Sequence, residues 1–236
     1  MPNKISFFFI LTVFIFTNYT SAQTNNVVTV VGAMKNVMWK GQTYGTIDLD
    51  TISNRQHLYG LGPVEYLDGE LLIIDGKSYK STIRKAAIKV EETFKAKAPF
   101  FVYATVNKWE MQILPDTIKT IQQFESYLDN ITKSLKRPFA FRLTGIPEMA
   151  TIHIVNLPKG AKISSPDDAH RGQVNDSLTN EQGEIVGFFS TTHKSIFTHH
   201  DTFLHMHLIT GDKTKMGHLD DIIFGKNRMS LYLPVD

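Results

Sequence analysis

Hydrophobic positions along this chain fall into two patterns, several short strand-like runs and one long helical stripe. The stripe is Ile118, Ile121, Phe124, Leu128, Ile131 and Leu135, with Gln122, Glu125, Asp129 and Lys133 on the polar side. That spacing predicts a helix over Asp116–Leu135, with Asp116 as its N-cap and Pro138 just past its end. Short β-branched or apolar runs predict strands at Val27–Val31, at Leu71–Ile74 before the Asp75-Gly76 turn, and at Phe100–Val106. After the helix the chain reads as mostly β, with strands at Phe139–Leu143, Thr151–Val155, Glu184–Phe189, Phe203–Ile209 and Met229–Leu233. Polar loops separate them, the longest around Ser164–Gln182. The fold class expected is α+β, with mixed or antiparallel sheets and one long helix. Two subdomains are expected, loosely residues 23–145 and 146–236.

The first residues change that picture by removing themselves from it. Lys4 precedes an apolar run from Ile5 to Phe16, too short to span a bilayer, and Thr20-Ser21-Ala22 supplies small residues. Residues 1–22 therefore read as a signal peptide cleaved after Ala22, which gives a secreted or periplasmic protein with no membrane attachment. Cysteine is absent, so neither a lipid-modified Cys nor a disulfide is available, and any metal site must use His and carboxylates. Lys+Arg number 25 against 23 Asp+Glu, a net charge of +2 with no basic block, which argues against nucleic acid as a partner. A homodimer is an open expectation.

The segment Phe203-Leu-His-Met-His-Leu-Ile209 carries the most chemistry. Side chains alternate along a strand, so His205 and His207 share one face, while Leu204, Met206 and Leu208 share the other. Gly217-His218 follows after the polar turn Thr210–Thr214, at a distance where a hairpin returns His218 to the pair. Three imidazoles with an open fourth position are the pattern of a catalytic zinc site, although copper, nickel and iron also accept neutral imidazole. His199 and His200 are alternative ligands, of which only one can join the same face. Cupins share the His-x-His pair but place a Glu soon after it, where this chain has Gly211 and Asp212.

Tyr59–Tyr79, with Leu67-Asp68-Gly69-Glu70-Leu71 at its centre, resembles the alpha-acetolactate decarboxylase family. Val186-Gly187-Phe188 and the His205, His207, Gly217-His218 series follow in the order and spacing of that family, from about Val31 to Phe224. The resemblance implies Zn2+ on His205, His207 and His218, carried by the C-terminal β part of the chain, and Glu70 reaching into the same site as a proton shuttle. It implies a zinc-dependent decarboxylase that converts 2-acetolactate, or a related 2-hydroxy-3-oxo acid, to acetoin and CO2. In this sequence His153 stands where the family has an Arg, and Pro63 stands at a family Thr. A second family Glu, downstream of the last His, has no match after Glu184. His153 is therefore expected as the second catalytic residue, a partial substitute for an Arg clamp. A non-catalytic protein that binds zinc or a small acid on the same fold is the alternative.

Overall fold

The computed structural model describes residues 26–226 and 229–235; the signal peptide expected over residues 1–22 lies outside them. Two antiparallel sheets make the body of the molecule. The six-stranded sheet runs, in spatial order, Val28–Gly32, Phe100–Thr105, Leu58–Pro63, Glu70–Ile74, Lys77–Arg84 and Ala87–Glu92. The eight-stranded sheet runs Val174–Thr179, Met149–Ile154, Met216–Ile223, Leu204–Thr210, Gly183–Phe189, Phe139–Gly145, Ser230–Pro234 and Trp109–Ile113. Each pairing in the two sheets is antiparallel.

The strand runs read from the sequence are all present, with ends shifted by one or two residues. The strands that were not expected are those without a continuous apolar run, such as Lys77–Arg84, Ala87–Glu92 and Trp109–Ile113. The Ser164–Gln182 stretch, expected as a loop, contains a short helix at Pro166–Ala169 and the strand Val174–Thr179.

The long helix is corrected. It spans Ile121–Ile131, eleven residues, and the N-cap is Thr120 rather than Asp116. Thr120 Oγ1 accepts from the Gln123 backbone N–H, and Gln123 Oε1 accepts from the backbone N–H groups of Thr120 and Lys119. This reciprocal box sets the start of the helix and leaves Ile118 in the preceding turn. At the other end Thr132 bonds the Leu128 carbonyl through both its N–H and its hydroxyl, and Leu135 lies beyond the last turn. A further helix, Met34–Lys40, was not anticipated.

One core lies between the sheets, built from Leu61, Leu72 and Val102 on one side and Val186, Phe188 and Ile209 on the other. A second core covers the far face of the eight-stranded sheet, where Phe124 and Leu128 of the helix pack on Phe141, Met206 and Leu208. Full burial of each such side chain is worth about 1.5–3 kcal/mol. With apolar layers on both faces, the middle strands of this sheet hold any polar side chain in a nearly dry environment.

Candidate functional site

His205 and His207 sit on the Leu204–Thr210 strand and face the six-stranded sheet, while Leu204, Met206 and Leu208 enter the helix-side core. The turn at residues 211–215 returns the chain as Met216–Ile223, and the register sets His218 directly opposite His207. His153, on the next strand, is directly opposite His218. Directly opposed residues of an antiparallel pair share a face, so His153, His218 and His207 form one cross-strand row, with His205 two residues along. Ring centroids of His205, His207 and His218 lie 5.0 to 5.5 Å apart, and His153 lies 4.7 Å from His218. Gly217 permits this closeness: a Cβ there would meet the His153 carbonyl oxygen at 2.5 Å.

Glu70 arrives from the other sheet, as the first residue of Glu70–Ile74. Gly69 turns the chain into that strand at φ +137°, a conformation that suits glycine, and a Cβ there would collide with the Ser81 carbonyl oxygen. The carboxyl is buried: Oε1 accepts from the Val155 backbone N–H at 3.2 Å and lies 4.0 Å from His153 Nε2, and Oε2 lies 3.7 Å from His207 Nε2. Glu70 and His205, more than a hundred residues apart in sequence, thus line the same small cavity of about 30 Å3, walled by Met34, Met38 and Phe100.

Asp220 and His199 complete the cluster. The ladder between Met149–Ile154 and Met216–Ile223 slips at Thr151/Ile152, which makes Asp220 the extra residue of a bulge. Its Oδ1 is 2.7 Å from His153 Nδ1 and 3.9 Å from His218 Nε2. Sequence reading passed over Asp220, although its position two residues after His218 is the strand spacing for a shared face. The His199 ring is 5.0 Å from that of His218, whereas His200 is exposed. The ladder between the Leu204–Thr210 and Met216–Ile223 strands ends at the His207–His218 pair. A cleft of about 290 Å3 opens there, lined by His199, His218 and Asp220 together with Gln122 and Glu125 of the helix.

Burial dominates the electrostatics. Desolvation pushes His207 down to about 3, with the His153 charge acting the same way and the Leu71 backbone acting weakly against it, short of a hydrogen bond. His205 and His218 are held well below the ordinary imidazole value, first by desolvation and then by neighbouring imidazoles. Desolvation also raises the Glu70 carboxyl to about 8, against the opposing pull of His153 and the Val155 N–H. For His153, burial disfavours the charged ring, but the Asp220 hydrogen bond and the charges of Glu70 and Asp220 outweigh it and raise its pKa. The hydrogen bond to Asp220 is the largest of the raising effects.

His205, His207 and His218 form a donor set that fits a metal ion. Their ligand nitrogens lie within 4.8 Å of one another. His205 Nδ1 and both His207 ring nitrogens are buried without a hydrogen-bond partner, an arrangement that costs stability unless something binds them. Desolvation keeps the rings neutral, the form that ligates. A second group, His153, His218 and Asp220, shares His218 with the first.

A model of the alpha-acetolactate decarboxylase family matches residues 31–233. Among relatives, the alpha-acetolactate decarboxylase of Lactococcus lactis subsp. cremoris is 25% identical over 181 residues, covering 73% of this chain and 70% of that one. The Streptococcus thermophilus alpha-acetolactate decarboxylase is 29% identical over 187 residues, covering 75% and 72%. In fold, the chain resembles the crystal structure of alpha-acetolactate decarboxylase from Bacillus subtilis strain 168, with a TM-score of 0.71 at 19% identity over 89% of this chain and 86% of that one. The motifs that bring Glu70 to the histidines lie inside the matched span, and the chain belongs to the alpha-acetolactate decarboxylase family.

Proposed function

We propose that the protein is a zinc-dependent decarboxylase that converts 2-acetolactate, or a closely related 2-hydroxy-3-oxo acid, to acetoin and CO2. The observation that carries this reading is the meeting of a buried carboxyl, Glu70, with three buried imidazoles, of which His205 Nδ1 and both His207 nitrogens have no partner, in one dry site. His205, His207 and His218 would hold the metal; when bound, zinc supplies a Lewis acid for the negative charge that develops as carbon dioxide leaves.

The chain's own residues supply the rest. Decarboxylation breaks the bond between the carboxylate carbon and the hydroxyl-bearing carbon, and the electron pair stays on the latter. One proton must then reach that carbon to complete acetoin. Glu70, whose carboxyl burial raises to about 8 in the metal-free protein, is placed to give it. The Val155 N–H fixes one of its oxygens, which aims the other toward His207. His153 offers Nε2 from the facing strand to the substrate carboxylate, with one nitrogen where an Arg would offer a fork. The apolar walls exclude water from the reacting carbon, and the flexible side chains of Met34 and Met38 can yield to a five-carbon acid.

Incubating the zinc-loaded protein with racemic acetolactate and measuring acetoin tests the reading. Release well above that of a chelator-treated control is expected, and zinc-loaded protein that releases no more acetoin than the control overturns it. We also propose export, with cleavage after Ala22. N-terminal sequencing of protein from the culture medium or periplasm should begin at Gln23, and an intact Met1 terminus in a cytoplasmic fraction excludes it.

A further inference from the structure

We propose that Asp220 is a positioning residue, which fixes the ring of His153 through Nδ1 so that Nε2 is the atom presented to the substrate carboxylate. The kinetic consequence rests on the decarboxylase reading above; the ring orientation does not.

Three observations carry the proposal. First, Asp220 is the extra residue of the bulge in the ladder that joins the His153 strand to the His218 strand. Bulges re-aim a side chain at the expense of local pairing, and they concentrate beside active sites. Second, Asp220 Oδ1 lies 2.7 Å from His153 Nδ1, well within hydrogen-bond range, while its next imidazole nitrogen, on His218, is 3.9 Å away. The bond is therefore made to His153 and to no other histidine of the cluster. Third, the two partners differ in solvation: the His153 side chain is 7% exposed and the Asp220 side chain 35%. The carboxylate thus keeps part of its hydration while it holds a ring that is almost fully buried.

With Nδ1 committed to Asp220, only Nε2 is left for the interior. It lies 4.0 Å from Glu70 Oε1, too far for a hydrogen bond and close enough for a substrate atom to meet both groups. His153 stands at the end of the cross-strand row, beyond His218 from His207, so a ring flip would turn its free nitrogen from Glu70 toward the outside of the cluster. An arginine needs no such support, because its planar fork carries its own orientation. An imidazole in the same place does, and a carboxylate on the distal nitrogen is the usual way to fix its tautomer.

The test uses zinc-loaded protein and the variants Asp220→Ala, Asp220→Asn and His153→Ala. Long-range proton–nitrogen NMR of the imidazoles, without substrate, should show the His153 ring with a hydrogen-bonded Nδ1–H in the wild type and in Asp220→Asn, whose amide oxygen still accepts. That signature should be lost in Asp220→Ala. Bound zinc should stay at one equivalent in all three variants. With acetolactate, Asp220→Ala should lower kcat/KM by about 10–100-fold, Asp220→Asn should recover most of it, and Asp220→Ala should add nothing in the His153→Ala background. An unchanged His153 signal in Asp220→Ala overturns the proposal, as does an effect fully additive with His153→Ala, or a loss of zinc that accounts for the defect. If no variant and no wild type turns over acetolactate, the decarboxylase reading fails while the NMR arm still decides the orientation.

Discussion

Along the Leu204–Thr210 strand, Leu204, Met206 and Leu208 face the helix side of the eight-stranded sheet, and His205 and His207 face the other sheet. Both sets are buried to a similar degree. The apolar set meets Phe124 and Leu128 and gains dispersion and desolvation energy from the contact. The histidines gain neither: His205 Nδ1 and both His207 nitrogens have no partner, and desolvation holds the rings neutral. One strand therefore divides its labour by face, with stability on one side and a preorganised, energetically unsatisfied donor set on the other. Polar groups kept buried and unpaired are tolerated where a ligand completes them.

The largest expected effect separates the faces outright. The double variant His205→Ala/His207→Ala should fold, bind less than a tenth of an equivalent of zinc by mass spectrometric metal analysis, and lose acetoin release with it. A double variant that retains a full equivalent would show that the donors lie elsewhere.

Glu70 gives the second effect, and its sign follows from linkage. Its carboxyl rises from 4.5 in the unfolded chain to about 8 in the folded one. Between those values the metal-free native state holds a proton that the unfolded state has released, so the contribution of Glu70 to stability is present below pH 4.5 and declines as pH rises toward 8. His205, His207 and His218 act in the opposite direction: their folded values are depressed, so they cost stability as pH falls below the ordinary imidazole value. None of those three is shifted by Glu70, so that cost is common to the wild type and to Glu70→Gln, whose amide cannot ionise. In chelator-stripped protein, the stability of Glu70→Gln relative to wild type should climb across pH 5 to 8 by at most about 1.4 kcal/mol per unit, measured by urea unfolding. A difference that is flat in pH would remove the buried protonated carboxyl from the mechanism.

The stabilising face comes third. Leu208→Ala empties a site in the helix-side core and should cost about 2–5 kcal/mol, read from urea midpoints, while zinc per folded molecule stays unchanged. Loss of zinc in the folded fraction would mean that the two faces are mechanically coupled.

The division between faces was legible in the sequence because strand periodicity fixes it locally. His205 and His207 share a face by counting residues, and the polar turn before Gly217 makes the return of His218 a short-range matter. The centre of the helix was legible for the same reason: Phe124 and Leu128 are its buried residues. Its ends were not, because apolar spacing continues through Ile118 and Leu135 while a side-chain box at Thr120 and the Thr132 hydroxyl decide where the backbone stops. Strands such as Ala87–Glu92 and Trp109–Ile113 lie at sheet edges, where one face or both meet water and no apolar run forms. The approach of Glu70 to His207 depends on how two sheets stack, which no local pattern encodes; only the resemblance to a family pointed to it. Asp220 had a local signal in its two-residue spacing from His218, but its bond to His153 depends on a bulge whose register slip appears only when the strands are paired.

The smallest effect has the opposite sign in the two ligation states. His207 is fully buried with two unpartnered ring nitrogens, and leucine has a similar volume without polar atoms. Leaving a buried polar group unsatisfied costs about 1–3 kcal/mol, so the chelator-stripped His207→Leu protein should be more stable than chelator-stripped wild type by about that amount. Saturating zinc should reverse the order, because a metal bound only by the native state stabilises in proportion to the logarithm of its excess over Kd, and the variant lacks one donor. Urea unfolding of both proteins, with chelator and with zinc, checks both halves. If the leucine variant is the weaker protein in both conditions, His207 is held by packing that leucine cannot reproduce, and the contrast between the two faces of its strand is one of shape. If it is stronger without metal and weaker with it, the fold gives up stability at His207 in order to hold an imidazole ready for its ligand.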